Sequence, residues 1–149
     1  MKKNSLILLA ILGMSSFAFA DVQSSNLHAE RLKVVQEYID DLGAANVQNI
    51  TSLFTNDAMV ISTSRGTANA IEFFSNFLPQ VSSAETQQHQ VFISTQDVNH
   101  YAARFHLKYQ LKDGDIGNGE YMDDFIFEEN SPRLAAVYMF ENLKFPQPK

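Results

Sequence analysis

The stretches YAARFHLKYQL (residues 101–111), EYMDDFIFE (120–128) and RLAAVYMFENL (133–143) decide the fold. In each, apolar and polar side chains alternate with a period of two, as in strands that bury one face. QHQVFISTQ (88–96) reads as a fourth strand ahead of them. Turn residues separate the four: Asp97-Val98-Asn99, Asp113-Gly114 through Gly119, and Glu129-Asn130-Ser131-Pro132. Successive strands with short turns predict antiparallel hairpins. Alternation predicts which side chains face inward: Ala103, Phe105, Leu107 and Tyr109; then Tyr121, Asp123, Phe125 and Phe127; then Leu134, Ala136, Tyr138 and Phe140.

Upstream of residue 88 the period lengthens to that of a helix. Val35, Tyr38, Ile39 and Leu42 fall on one stripe of a helix over 27–42, and Gly43 stands where such a helix stops. Asn46 can cap a short second helix whose inner face is Ile50, Leu53 and Phe54. Thr55-Asn56-Asp57 breaks it, and 58–62 reads as a strand. Gly66-Thr67 then opens a third helix, with Thr67 as the expected cap, Ala70, Ile71, Phe74, Phe77 and Leu78 as its stripe, and Pro79 at its end. Helices first and strands later predict an α+β domain in the order α-α-β-α-β-β-β-β, with a curved antiparallel sheet wrapped around the helices.

The first residues read differently. Lys2 and Lys3 precede a short apolar run from Leu6 to Met14, and Ala18-Phe19-Ala20 supplies small residues at a cleavage site. This is the pattern of a secretory signal peptide over 1–20, cut after Ala20, and it predicts a periplasmic or secreted protein. A loose polar leader (21–26), the folded domain (27–145) and a short tail (146–149) follow. The net charge of −6 becomes more negative once Lys2 and Lys3 are removed. An acidic chain disfavours nucleic acid and anionic membrane surfaces as partners. The chain has no cysteine, which excludes disulfides, thiol nucleophiles and thiolate metal sites.

Several local segments, in order and at matching spacing, resemble the SnoaL-like, nuclear-transport-factor-two-like superfamily. They are Val34-Val35-Gln36-Glu37-Tyr38-Ile39, Leu53-Phe54-Thr55-Asn56-Asp57-Ala58-Met59-Val60, Gly66 with Ile71 and Phe74, and Asp123-Asp124-Phe125-Ile126-Phe127. The resemblance spans roughly residues 30–143. It implies a cone whose helices close over the concave sheet face around an apolar cavity. It also implies a possible homodimer through the convex sheet face, where Arg104, His106 and Lys108 lie opposite acidic residues.

Within that resemblance, Tyr38 and Asp123 match the two oxyanion donors of ketosteroid isomerase, a member of the superfamily and a standard example of a protonated carboxyl acting as donor. The match is incomplete. Ser62 stands where that enzyme carries its general base, and a serine hydroxyl is not a base near neutral pH. Asp123 therefore has two readings: a buried carboxyl bonded to a tyrosine such as Tyr38 or Tyr138, or a group that meets a ligand.

The candidate catalytic residues are Tyr38 and Asp123. The candidate ligand-binding residues are Tyr38, Phe74, Phe105, Asp123, Phe125, Tyr138 and Phe140. No metal or cofactor is implied, because His28, His89, His100 and His106 show no ligand spacing and Asp113 to Gly119 is out of step with a calcium loop. Three functions follow, in order of preference. The first is a module binding a small hydrophobic molecule in the cone. The second is a SnoaL-type isomerase, cyclase or dehydratase acting on a hydrophobic carbonyl compound. The third is a protein-interaction domain of adaptor or immunity type.

Overall fold

The computed structural model describes the backbone of residues 15–142 and the side chains of 24–142. The apolar run at 6–14 and the tail at 146–149 lie outside these residues. Helix α1 (Ser15–Gly43) starts well before Leu27 and takes in 21–26, which the polar composition marked as a loose leader. The reason is local, since neither glycine nor proline interrupts the chain between Ser15 and Gly43. Its expected stripe is the buried one: Val35, Tyr38, Ile39 and Leu42 are at most 2% exposed. Helix α2 (Val47–Ser52) follows, with Asn46 as its cap, the side chain accepting from Asn49 N at 3.2 Å.

Strand β1 (Phe54–Ser62) begins earlier than expected, because an irregularity between Phe54 and Met59 absorbs Thr55-Asn56-Asp57 into the strand. The next segment corrects the sequence reading. Gly66-Thr67 does not open a helix; Gly66–Asn69 is a short strand, β2, folded back on β1. Gly66 has φ +74°, which lets the hairpin turn there. Helix α3 (Ala70–Phe77) starts one turn later, and its cap is Asn69, whose carbonyl oxygen accepts from Ile71 N and Glu72 N. A 3-10 turn at Leu78–Gln80 contains Pro79.

The long strands are β3 (Val81–Ile93), β4 (His100–Leu111), β5 (Ile116–Phe127) and β6 (Leu134–Asn142). The sheet order is β2-β1-β6-β5-β4-β3. Neighbours are antiparallel except β1 and β6, which run parallel with Val60 opposite Val137. Strand β3 starts seven residues before Gln88, at Val81. It is an edge strand, so its polar opening shows no apolar alternation to read.

Inward-facing side chains on β4 and β5 are those the alternation names. Ala103, Phe105, Leu107, Tyr121, Asp123, Phe125 and Phe127 are all buried. On β6 the parity fails. Phe127 pairs with Leu134, but Ile126 pairs with Ala136, so Ala135 is an extra residue that reverses the phase. Val137 and Met139 therefore point inward, while Tyr138 and Phe140 are 37% and 50% exposed on the outer face.

The core is a cluster of rings. Tyr38 meets Phe125, Phe74 and Phe54 edge-on at 5.0, 5.8 and 6.3 Å, and Phe54 stacks on Phe74 at 5.5 Å. Such pairs add about 0.5–1.5 kcal/mol each beyond the burial of their area. At the far end of β5 the Tyr109 ring lies over Gly117, where an added Cβ would sit 2.2 Å from Cε1. Gly117→Ala is therefore expected to lower stability by about 1–3 kcal/mol in urea unfolding, as overpacking does. A change below about 0.5 kcal/mol would show that the tyrosine simply swings away.

Candidate functional site

The interior holds an ionisable pair. The Tyr38 hydroxyl, from α1, donates to Asp123 Oδ2, from β5, at 3.0 Å. Both side chains are wholly buried, and Asp123 Oδ1 has no partner. Burial drives the Asp123 carboxyl well above the ordinary carboxylate range; the Tyr38 hydrogen bond pulls it down, and the charge of Glu141 adds to the rise. Of the two tyrosines that could have bonded Asp123, Tyr38 is the one that does.

The structure brings five of the seven expected ligand contacts together: Tyr38, Phe74, Phe105, Asp123 and Phe125. It packs them as core, each 0% exposed. Phe105 stacks on Tyr121 at 5.6 Å. Tyr138 and Phe140, expected inward, instead stack on each other at 6.5 Å on the outer face, because of the bulge at Ala135. His106 also faces outward, as expected, within 3.2 Å of Glu120 and 2.8 Å of Asn118. Among the described residues, no group of three or more His, Asp or Glu side chains is placed to hold a metal ion. No helix among them is long and apolar enough to cross a membrane.

A carboxylate does reach Ser62, although not from its own strand. Glu141 of β6 accepts from Ser62 Oγ at 2.9 Å and from Ser64 Oγ at 2.8 Å. Ser62 Oγ in turn accepts from the backbone N–H groups of Ser64 and Arg65. The register sets Glu141 opposite Tyr121, and Asp123 opposite Met139, with Tyr121 and Met139 both buried. Alternation counted from Leu134 put Glu141 outside. Counted from the bulge, it joins Val137 and Met139.

The open space lies elsewhere. A cavity of about 830 Å³ sits where the middle of α1, from Ser24 to Arg31, meets the β3–β4 and β5–β6 connections. Leu27, Ile93 and Val98 supply apolar wall, and His28, Asn99 and Tyr101 supply polar groups. Ile93 and Val98 are 47% and 74% exposed, which leaves them available to an occupant.

Arg31 holds this region together. It is only 2% exposed. Its guanidinium donates from Nε to Ser131 O at 3.0 Å, from Nη1 to Val98 O at 2.9 Å and from Nη2 to Glu128 O at 2.9 Å. It also lies 5.2 Å from the centre of the Phe127 ring. One side chain thus ties α1 to both loops that wall the cleft. Beside it, His28 Nδ1 and the Tyr101 hydroxyl are 2.7 Å apart. The Tyr101 hydroxyl is shifted up by burial, with the Arg31 cation and its N–H groups pulling the other way.

The cleft residues escaped the sequence reading, although a signal was present. The buried stripe of α1, extended toward the N-terminus from Tyr38 and Val35, passes through Arg31 and His28. A cation and an imidazole on the buried face of a helix call for partners.

No protein-family model and no curated protein matches the chain. Solved structures do match it. BvnE pinacolase from Penicillium brevicompactum is similar at TM-score 0.65 and 13% identity, over 78% of this chain and 86% of that one. A putative SnoaL-like polyketide cyclase from Jannaschia sp. CCS1 is similar at TM-score 0.61 and 12% identity, over 77% and 87%. An NTF2-like protein of unknown function from Exiguobacterium sp. 255-15 is similar at TM-score 0.60 and 11% identity, over 73% and 98%. At these identities the shared property is the fold. The chain has the NTF2-like, SnoaL-like α+β cone.

Proposed function

We propose that this NTF2-like domain is an exported binding module for a small, largely apolar molecule, and that the molecule sits in the cleft between α1 and the two loops pinned by Arg31. The observation that carries this reading is the contrast between the packed core and the end cleft. The interior is filled by rings that are 0% exposed, while the end cleft offers about 830 Å³. Small-molecule sites run to about 300–1,000 Å³, apolar with a few convergent polar groups. Leu27, Ile93 and Val98 with His28, Asn99 and Tyr101 fit that description. Loops held on a rigid scaffold are also where binding sites concentrate. Export rests on Lys2, Lys3, the apolar run and Ala18-Phe19-Ala20.

Relatives in fold include a pinacolase and a putative polyketide cyclase, both named for work on organic small molecules. For this chain binding is preferred to turnover, because Tyr38 and Asp123, the pair nearest to a catalytic one, are sealed in the core.

Native mass spectrometry of the protein purified from an exporting host is expected to show a bound organic adduct. Val98→Asp, at a position already 74% exposed, leaves the fold alone and is expected to lose the adduct. Affinity should fall at least about tenfold, since facing an apolar ligand with an unpaired charge costs more than the 1.4 kcal/mol that a factor of ten represents. An adduct unchanged in Val98→Asp would place the ligand elsewhere. A clean mass in the unaltered protein would favour the protein-interaction reading.

A further inference from the structure

Polar groups inside the cleft have a direction. Tyr101 O–H and His28 Nδ1 share one hydrogen bond at 2.7 Å, which either partner could donate. Burial decides which. Tyr101 is 3% exposed, so its hydroxyl proton needs an acceptor close by, and a buried donor left without one is costly. Tyr101 keeps its proton, and the acceptor within reach of that proton is His28 Nδ1. An imidazole that accepts at Nδ1 and is neutral carries its proton on Nε2. No second protein partner for His28 appears among the described residues, and the ring lines the cleft.

We propose that the Tyr101 hydroxyl fixes His28 as the Nε2–H tautomer, and that Nε2–H is the donor that recognises a hydrogen-bond acceptor, such as a carbonyl or ester oxygen, on an otherwise apolar ligand. The inference rests on the cleft reading and refines it by naming the ligand's polar end. The His28 and Tyr101 rings lie 5.7 Å apart and inclined by 33°, and Leu27 and Val98 supply apolar wall to the same cleft. A ligand whose only polar group is a donor would leave Nε2–H unpaired on burial, and a buried donor without a partner weakens binding.

The test uses the full chain with ¹⁵N-labelled histidine and two probes of one shape, 2-acetylnaphthalene and 2-ethylnaphthalene. Long-range ¹H–¹⁵N spectra are expected to show His28 as the Nε2–H tautomer, and Tyr101→Phe is expected to return it to a mixture. The ketone is expected to bind roughly three- to tenfold more tightly than the hydrocarbon, the worth of one net hydrogen bond. His28→Leu is expected to erase that difference while hydrocarbon binding persists. Equal binding of the two probes, or an Nδ1–H tautomer in the unaltered protein, overturns the inference and leaves the cleft standing as an apolar site. If neither probe binds, the cleft reading itself falls, and the inference with it.

Discussion

Arg31→Ala is expected to remove about 3–4 kcal/mol of stability, a large share of the 5–15 kcal/mol typical of a domain this size. The substitution deletes three charge-assisted hydrogen bonds at once, to Val98 O, Glu128 O and Ser131 O, and leaves those carbonyls facing a void. Bonds to a charged group contribute about 1.5–3 kcal/mol each, and the sum falls short of three times that because the loops relax toward water. Arg31→Lys is expected to recover at most about half, since an ammonium is a point charge and cannot fork to three carbonyls. Urea unfolding followed by far-UV circular dichroism measures both. A loss below about 1 kcal/mol for Arg31→Ala would mean that the loops hold themselves. The same variant should abolish ligand binding under conditions where it remains folded, because both cleft walls lose their anchor.

Asp123→Asn is expected to stabilise the protein at neutral pH and to flatten its stability profile. The sign follows from proton binding. The folded-state pKa of Asp123 is raised above its unfolded value, chiefly by burial. The folded protein therefore binds more protons than the unfolded chain once the pH exceeds about 3.9, the ordinary aspartate value. This carboxyl's contribution is fully present below that pH and declines as the pH climbs toward the raised folded value. Within the window the slope is about 1.4 kcal/mol of stability lost per pH unit. Asparagine keeps an oxygen for the Tyr38 hydroxyl and has no proton to lose, so this residue's share of the slope should vanish and the gain should grow with pH, while Asp41 and Asp124, also raised by burial, keep theirs. Unfolding of both proteins between pH 4 and pH 8 tests this. Parallel curves would show that Asp123 does not change its protonation on unfolding.

Much of this was legible in the chain. The α1 stripe at Val35, Tyr38, Ile39 and Leu42, and the inward sets on β4 and β5, follow from period alone because each element is regular over its length. What failed was irregular or non-local. A single residue, Ala135, reversed the parity of β6, and with it the placement of Tyr138, Phe140 and Glu141. Nothing in Leu-Ala-Ala-Val distinguishes a bulge from a regular step. Gly66-Thr67 was misread because a cap and a hairpin turn favour the same residue types, and Asn69 was available two residues later. The Tyr38–Asp123 pair was visible by resemblance and inward parity. The cleft was not, because its walls come from helix and loops about seventy residues apart in the chain, as His28 and Tyr101 are. Only the polar continuation of the α1 stripe through Arg31 and His28 hinted at it.

The parallel pairing of β1 with β6 sets the order of events in folding. The β1–β2 hairpin and the β3–β4–β5 meander are separate halves of the sheet until β6 slots between β1 and β5. Every residue from 63 to 133 must therefore be in hand before Val60 can meet Val137. Closing so long a loop is slow, and neither half can shed its unpaired edge in the meantime. Chains cut anywhere before β6 are therefore expected to keep an open sheet edge and to be more sensitive to limited proteolysis than the complete one.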